Sequence, residues 1–170
     1  MKDTKLKRYI IPLLNILILV GFDQFTKLLI KNNMELYESK PLINGVFSIT
    51  YIQNKGMAWG MFQGKRVMFI VVTIILLCGC IYVYKNIIDK EKYIAMKIVL
   101  VLLISGAIGN FIDRIAFGYV VDFFDFNLIN FPVFNIADIF VVVSMFLGMF
   151  LLIFYYNEEE FDEILGIKSK

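Results

Sequence analysis

The sequence predicts an all-α membrane protein, with four transmembrane helices and a small extracytoplasmic β-like element. Apolar residues make up 59% of the chain and charged residues 19%, whereas a soluble domain has about 45–50% and about 25%. The apolar residues are concentrated in four long runs, and one connection between the runs alternates like a strand. This distribution excludes an ordinary soluble globule and a disordered protein.

Each apolar run is long enough for a membrane helix, which needs about 20 residues. The first run follows a basic start and looks like a secretory signal peptide, but no small-x-small cleavage site ends it. We therefore expect it to be retained as a span of a single domain, residues 1–170. The predicted spans are residues 9–30, 67–84, 93–115 and 135–156.

The basic residues predict the orientation in the membrane. More than half of the 17 Lys and Arg lie in the N-terminal tail, the 85–97 connection and the C-terminal tail. An even number of spans puts these segments on one side, which should be the cytoplasm. Loops 31–66 and 116–134 are then extracytoplasmic. The acidic tail after residue 156 is expected to be a solvated end without a catalytic role.

Loop 31–66 is too long for a plain connector and carries the predicted strand. Asn44-Gly45 is a turn signal. Phe47, Ile49 and Tyr51 then alternate with polar residues, which predicts a short strand with one apolar face. That face either lies on the membrane surface beside Trp59 or packs in a simple hairpin.

Several classes of chemistry are excluded by composition. The chain has no histidine, which removes the Ser-His-Asp triad and every His-ligated metal site. Cys78 and Cys80 point to different faces of a helix, so neither a disulfide nor a redox pair is expected. A net charge of +2 does not favour nucleic-acid binding. We expect neither a metal nor a cofactor.

Polar residues of three spans fall at one depth. Asp23 lies about 21 Å from the cytoplasmic end of its span, and Asn110 lies about 26 Å from the same side. Asp113 and Arg114 follow, and Asp138 is about one turn inside the outer end of the fourth span. Because ionisable groups inside a membrane are costly, this layer is a candidate functional site.

Helical spacing refines this layer. Asp23 and Lys27 are four residues apart, which suits either an ion pair or two separate interfacial anchors. Two further pairs share a helix face: Asn110 with Arg114, and Asn135 with Asp138. Nearby small residues allow a close backbone approach, by a neighbouring span or by a helical substrate; they are Ser105, Gly106 and Gly109.

Carboxylates without histidine can catalyse hydrolysis as a pair. In a low-dielectric site one carboxyl keeps its proton while the other stays charged, which supplies an acid and a base. Asp113 adjoins Arg114, which favours its ionised form, and Asp125 should face away from Asp122 on an extended segment. Asp122 with Asp138 is therefore the preferred pair.

Three alternatives remain from the residues alone. One is a small membrane transporter that uses intramembrane carboxylates. Another is a Ser-Lys peptidase that uses Ser48 or Ser105 with Lys55 or Lys27. The third is a purely structural membrane protein, which leaves the polar layer unexplained.

Five short blocks, in order along the chain, carry a family resemblance. They are Asp23-Gln24-Phe25-Thr26-Lys27, the stretch 54–60 (NKGMAWG), the stretch 109–114 (GNFIDR), the stretch 118–123 (GYVVDF) and the stretch 131–138 (FPVFNIAD). With these blocks the chain resembles the lipoprotein signal peptidases, or signal peptidases II, which are aspartic peptidases of bacterial membranes.

The resemblance implies a catalytic dyad of Asp122 and Asp138. It implies that further residues shape and polarise the site or contact the substrate: Asn54, Gly56, Asn110, Arg114, Asn135, Asp23 and Lys27. Asp113 matches a motif position outside the dyad, Asp125 has no counterpart, and Met57 stands where the family often has a smaller residue.

The resemblance also implies the substrate and location. The enzyme would remove the signal peptide of a prolipoprotein whose Cys carries diacylglycerol, by cutting just before that Cys near the outer membrane face. Membrane lipids and globomycin-type inhibitors are implied partners, and we expect a monomer in the bacterial cell membrane.

Overall fold

The structure is a computed structural model that describes residues 2–56, 64–129 and 131–167. It contains the predicted four long helices and a small antiparallel sheet, which confirms the predicted fold class. The helices are α1 Lys2–Asn33, α2 Arg66–Ile87, α3 Ile94–Ala116, α4 Ile136–Phe150 and the short α5 Glu158–Leu165; the strands are β1 Ser39–Ile43, β2 Phe47–Asn54 and β3 Val120–Asp125.

Four helical segments are long and apolar enough to cross a membrane: Leu6–Asn33, Arg66–Ile87, Glu91–Ala116 and Ile136–Tyr155. They overlap the four predicted spans, and the last one includes a π-helical turn at Leu151–Tyr155. Large apolar side chains such as Ile18, Ile75 and Phe146 are exposed on their outer surfaces. Contact with lipid accounts for this exposure, since lipid tails are as apolar as these side chains.

Helix α3 is central and packs against α1, α2 and α4. Its small residues allow α4 and α1 to come close: a Cβ on Gly106 would lie 2.4 Å from the backbone oxygen of Ala137 on α4, and one on Gly109 would lie 2.5 Å from Asp23 Oδ2 on α1. Of the two predicted occupants of this surface, a neighbouring span is the one found.

The sheet has the strand order β1-β2-β3. The predicted turn is present at Gly45, whose φ of +71° suits glycine, and the predicted strand is β2. Ser48 and Thr50, on its polar face, are buried, because β3 and the segment after it supply hydrogen-bond partners. Loop 116–134 thus contains the strand β3, whereas the sequence predicts only a connecting loop there. Met57 and Trp59 lie outside the described residues.

Two predictions, for the 85–97 connection and for the C-terminal tail, need correction. The 85–97 connection is shorter than expected, because α3 already includes Lys97, whose ammonium caps the backbone oxygens of Ile88 and Lys90 at 2.8 and 2.9 Å. The C-terminal tail is also no free solvated end. It forms α5, whose Ile164 is buried and accepts a hydrogen bond from Asn86 at 3.2 Å. An apolar stripe among the acidic residues of α5 drives this docking.

Candidate active site

Two aspartates from different elements line one cavity of about 600 Å³. Asp122 lies on β3 and is buried, whereas Asp138 lies in the first turn of α4 and is partly exposed to the cavity. The fold therefore brings together the preferred pair, although 15 residues separate a strand residue from a helix residue.

Asn135, the N-cap residue of α4, links the two aspartates. Its side-chain Nδ2 donates to Asp122 Oδ1 at 2.6 Å. Its backbone N–H donates to Asp138 Oδ2 at 3.2 Å, and its Oδ1 accepts from the backbone N–H of Asp138 at 3.0 Å. This capping box anchors the start of the helix and aims the Asp138 carboxyl at the same time.

Two further amides complete the hydrogen bonding of the pair. Asn54 Nδ2 donates to Asp122 Oδ2 at 2.9 Å, and Asn110 Nδ2 donates to Asp138 Oδ1 at 2.7 Å. The backbone N–H of Gly56 donates to Asn54 Oδ1 at 2.9 Å and so orients that amide. Each aspartate consequently accepts two N–H donors, one for each of its oxygens.

The Asp122 carboxyl binds its proton more tightly than an ordinary aspartate. Burial raises its pKa to about 7, the neighbouring Asp138 carboxylate acts in the same direction, and the hydrogen bonds from Asn54 and Asn135 oppose the rise. Near neutral pH, Asp122 is therefore able to hold a proton. A carboxylic acid beside a second carboxyl is the arrangement that acid–base catalysis without histidine requires.

Behind the aspartates lies a buried ion cluster, formed by Asp23, Lys27 and Asp113. The Lys27 ammonium is 2.9 Å from Asp23 Oδ2 and 3.2 Å from Asp113 Oδ2. The ion pair between Asp23 and Lys27 is thus present, and neither residue is an interfacial anchor, because Lys27 is only 3% exposed. Asp113 pairs with Lys27 from a different helix. The sequence did not predict this contact, because the adjacent Arg114 offered a nearer basic partner.

Gln24 joins this cluster and was not selected from the sequence. Its Nε2 donates to Asp113 Oδ1 at 3.0 Å, to Asp23 Oδ2 at 3.1 Å and to the backbone oxygen of Gly109 at 3.0 Å. Its position inside an apolar span, next to Asp23, was the available signal.

Arg114 also lines the cavity. Its guanidinium lies over the ring of Phe69, 4.8 Å from the ring centre. This stacking holds the side chain by its apolar face and leaves the N–H groups at its edge for polar partners.

The rest of the cavity wall is apolar and was not identified from the sequence. It is built from the segment after β3 and from one face of α4; the residues include Phe126, Ile129, Phe131, Pro132, Phe134, Ile139, Val142 and Val143. Ile129, Phe131 and Val142 are also exposed outside, so the cavity opens where lipid-facing side chains begin. Apolar residues of loops carry no periodic signal, which is why this wall was missed.

Neither serine of the Ser-Lys alternative is placed for that chemistry. The Ser48 hydroxyl bonds to the Asn127 side chain at 2.7 Å, and the Ser105 hydroxyl donates to the Val101 backbone oxygen at 2.7 Å. Lys27 is held in the buried ion cluster. Asp125 belongs to the same outer network as Ser48: it lies opposite Ser48 in the pairing of β2 with β3, and it accepts a hydrogen bond from Thr50 at 2.7 Å.

The location of the aspartates also bears on the transporter alternative. Asp138 is in the first turn of its helix and Asp122 is outside the helices, whereas carriers bind substrates near the middle of the membrane.

In the described ranges, no group of three or more Cys, Asp or Glu is placed to hold a metal ion.

Comparisons with known proteins agree with this geometry. Residues 15–155 match the family model "Signal peptidase (SPase) II". The lipoprotein signal peptidase of Clostridioides difficile is 42% identical over 84% of this chain and 95% of its own length. The lipoprotein signal peptidase of Halothermothrix orenii is 43% identical over 85% of this chain and 94% of its own length.

Solved structures show the same fold. A bacterial membrane enzyme determined by the in meso method at 2.3 Å resolution superposes with a TM-score of 0.76, at 34% identity, and covers 95% of this chain and 94% of that one. A second such enzyme, at 1.9 Å, has a TM-score of 0.75 and 36% identity, and covers 87% of this chain and 96% of that one. The chain therefore belongs to the signal peptidase II family.

Proposed function

We propose that the protein is an aspartic endopeptidase that removes the signal peptide from diacylglyceryl-modified prolipoproteins, by cutting just before the lipidated Cys. Membership of a peptidase family and relatives named lipoprotein signal peptidase support this activity. One observation carries the assignment of the catalytic residues: Asn135 holds the carboxyl groups of Asp122 and Asp138 in the same cavity.

The reaction uses the aspartates as a pair that shares one proton. The ionised carboxylate takes a proton from water as the water oxygen attacks the scissile carbonyl carbon. The protonated carboxyl gives its proton to the carbonyl oxygen. When the C–N bond then breaks, the protonated carboxyl gives its proton to the amine nitrogen, and the ionised carboxylate takes a proton from a hydroxyl of the tetrahedral diol, so the pair returns to its one-proton state. The raised pKa of Asp122 supports a shared proton near neutral pH.

The remaining polar residues support this pair. Asn54, Asn110 and Asn135 hold the two carboxyl groups through N–H donors. Arg114, at the cavity wall, is available to the peptide backbone of the substrate. Asp23, Lys27 and Gly56 support the pair indirectly, through hydrogen bonds to Ala137, Asn110 and Asn54.

The apolar wall of the cavity supports a substrate that remains partly in the membrane. A signal peptide crosses the bilayer as a helix, and the bond before the lipidated Cys lies where that helix ends. Val142 and Val143 line the cavity and are also exposed on α4. The acyl chains therefore remain among lipids during cleavage. Globomycin-type inhibitors are expected in the same cavity, and the enzyme is expected to act as a monomer.

The distribution of Lys and Arg supports an orientation with both termini in the cytoplasm. The catalytic pair then lies near the outer face of the cell membrane, since β3 and the start of α4 are at the end opposite the connection between α2 and α3. Protease accessibility of tags at the two termini in intact and in broken cells tests this orientation.

The direct test is cleavage of a synthetic diacylglyceryl prolipoprotein peptide by purified Asp122→Asn and Asp138→Asn variants. Each variant is expected to lose at least about 100-fold in kcat, because a general acid–base group contributes about 10²–10⁴. Asp125→Asn is the matched control, three residues away on the same strand but in the outer network. Full cleavage by either dyad variant, or loss by the control alone, contradicts the assignment. The same peptide without lipid should be cut poorly.

A further inference from the structure

We infer that Lys27 is a positioning residue: its buried ammonium orients the Asn110 amide, which presents an N–H donor to Asp138 and an oxygen to Asn135, the residue that links the two aspartates. The inference rests on the proposed function and assigns a mechanism to a residue that does not line the cavity. It depends on the hydrogen bonds of Lys27, Asn110 and Asn135.

All three N–H groups of Lys27 are used. They point to Asp23 Oδ2 at 2.9 Å, to Asp113 Oδ2 at 3.2 Å and to Asn110 Oδ1 at 2.9 Å. The two carboxylates are themselves held, since Asp23 Oδ1 accepts from the Ala137 backbone N–H at 2.9 Å and Asp113 Oδ2 accepts from the Val121 backbone N–H at 3.0 Å. The ammonium therefore has a defined position between α1, α3 and the start of α4.

An ammonium has donors and no acceptor, so only an oxygen can face it. The Asn110 amide must turn its Oδ1 toward Lys27, and as a result its Nδ2 faces Asp138 Oδ1 at 2.7 Å. Turned by half a rotation, the same amide would bring its oxygen against the Asp138 carboxylate, and two acceptors would meet. Lys27 thus selects the orientation in which Asp138 is able to stay ionised.

The oriented Asn110 amide also contacts the residue that holds Asp122. Asn110 Oδ1 accepts a second hydrogen bond, from Asn135 Nδ2 at 3.1 Å, and that nitrogen also donates to Asp122 Oδ1 at 2.6 Å. The backbone N–H of Asp138 orients Asn135 through its Oδ1, whereas Lys27 provides the charged donor that faces Asn110. Lys27 therefore acts on Asp138 through Asn110 and supports the Asn135 contact to Asp122.

The test requires a variant that folds. Replacing Lys27 alone leaves two buried carboxylates without their cation, so Lys27→Met is combined with Asp113→Asn, which keeps the net charge of the buried ion cluster. The reference is Asp113→Asn alone. Lys31→Met is a matched control for removing a lysine one turn further along α1, where the ammonium lies 3.6 Å from the centre of the Phe117 ring. Folding is checked by thermal unfolding in detergent.

Relative to its reference, Lys27→Met with Asp113→Asn is expected to lower kcat for the lipidated peptide by about 100-fold, the usual cost of a misplaced catalytic group. KM should change little, because the cavity wall is intact. When Asn110→Ala is added to both proteins, the difference between them should disappear, since Lys27 acts through Asn110. A kcat equal to the reference, or an undiminished effect in the Asn110→Ala background, overturns the inference.

A second variant keeps the test decisive if the Met protein does not fold. Lys27→Gln with Asp113→Asn has the same charge but retains an N–H donor for Asn110 Oδ1. It should keep most of the kcat of the reference, and a folded Gln variant without that activity overturns the inference. The wild-type protein in the same assay separates the two claims: no cleavage by wild type rejects the proposed function, whereas cleavage by wild type and unaffected variants reject only the role of Lys27.

Discussion

Two groups of lysines and carboxylates lie at opposite ends of α3, and they differ in burial. The buried ion cluster of Asp23, Lys27 and Asp113 has a lysine that is 3% exposed. The exposed ion cluster consists of Glu163 on α5 with Lys90 and Lys92, at 2.6 and 2.7 Å, and its lysine side chains are 36% and 49% exposed. Tyr93 also donates to Glu163.

Similar pairing distances thus occur in two clusters whose surroundings give the nearby carboxyl groups different pKa values. Lys90 and then Lys92, through their hydrogen bonds, lower the pKa of the exposed Glu163 carboxyl to about 2. Burial raises the pKa of Asp122, beside the buried ion cluster, to about 7. The exposed cluster joins α5 to the connection between α2 and α3, whereas burial near the other cluster gives Asp122 a carboxyl that exchanges its proton near neutral pH.

The largest effect is expected from Lys27→Met as a single change. It leaves two buried carboxylates facing each other, and breaking a buried pair in this way costs about 3–5 kcal/mol of stability. Lys92→Met removes a lysine of the exposed ion cluster and should change the midpoint of thermal unfolding far less. Equal midpoints of unfolding for Lys27→Met and Lys92→Met would contradict the claim that the buried ion cluster contributes more stability than the exposed one.

The second prediction concerns the pH dependence of cleavage. Because the folded pKa of Asp122 is raised, the shared proton is present below about pH 7 and is lost as the pH rises through that value. The kcat/KM of the wild type should therefore fall about tenfold for each pH unit above this range. Asp125→Asn should show the same profile, and a kcat/KM that stays constant into the alkaline range would remove Asp122 as the acid.

The third prediction concerns the close packing on which the buried ion cluster depends. Gly106→Ala places a Cβ 2.4 Å from the Ala137 backbone oxygen, and the resulting shift of α4 should cost about 1–3 kcal/mol of stability. Gly79→Ala on α2 is the matched control, because its Cβ meets nothing within 4 Å. The midpoint of thermal unfolding should be clearly lower for Gly106→Ala than for Gly79→Ala. The reverse order would show that α4 is free to move away from the added methyl group.

The smallest effect is expected from Glu163→Gln. The lowered pKa of Glu163 contributes stability that is present above about pH 4.5 and is lost as the pH falls toward about 2. Water and salt screen this exposed pair, so the contribution is small. The midpoint of unfolding should be slightly lower in the variant at neutral pH, and the difference should vanish in acid or at high salt. A large difference that persists at high salt would show that α5 relies on this pair for docking.

Part of the site was predictable from the sequence, because it depends on the local spacing of residues along helices. The shared depth of Asp23, Asn110 and Asp138 was predicted from helix length, and the shared helix face of Asn135 and Asp138 from their spacing of three; the capping box between these two residues was found in the structure. The pairing of Asp113 with Lys27 did not follow, since it joins two helices, and the adjacent Arg114 offered a simpler partner. Gln24 was missed because its partners Gly109 and Asp113 are distant in the chain, and the apolar wall after β3 was missed because apolar loop residues carry no periodic signal.

The amino-acid sequence was enough to predict the membrane fold, the four apolar helices and the strand β2, and its lack of histidine excluded histidine chemistry. These features depend on composition and on short periodicities, which every helix or strand expresses locally. Three features are visible only in the folded protein: Asn135 joins Asp122 to Asp138, Lys27 is buried between two aspartates, and α5 docks on α2. Hydrogen-bond direction and burial depend on which elements meet, and no local pattern in the chain specifies that meeting.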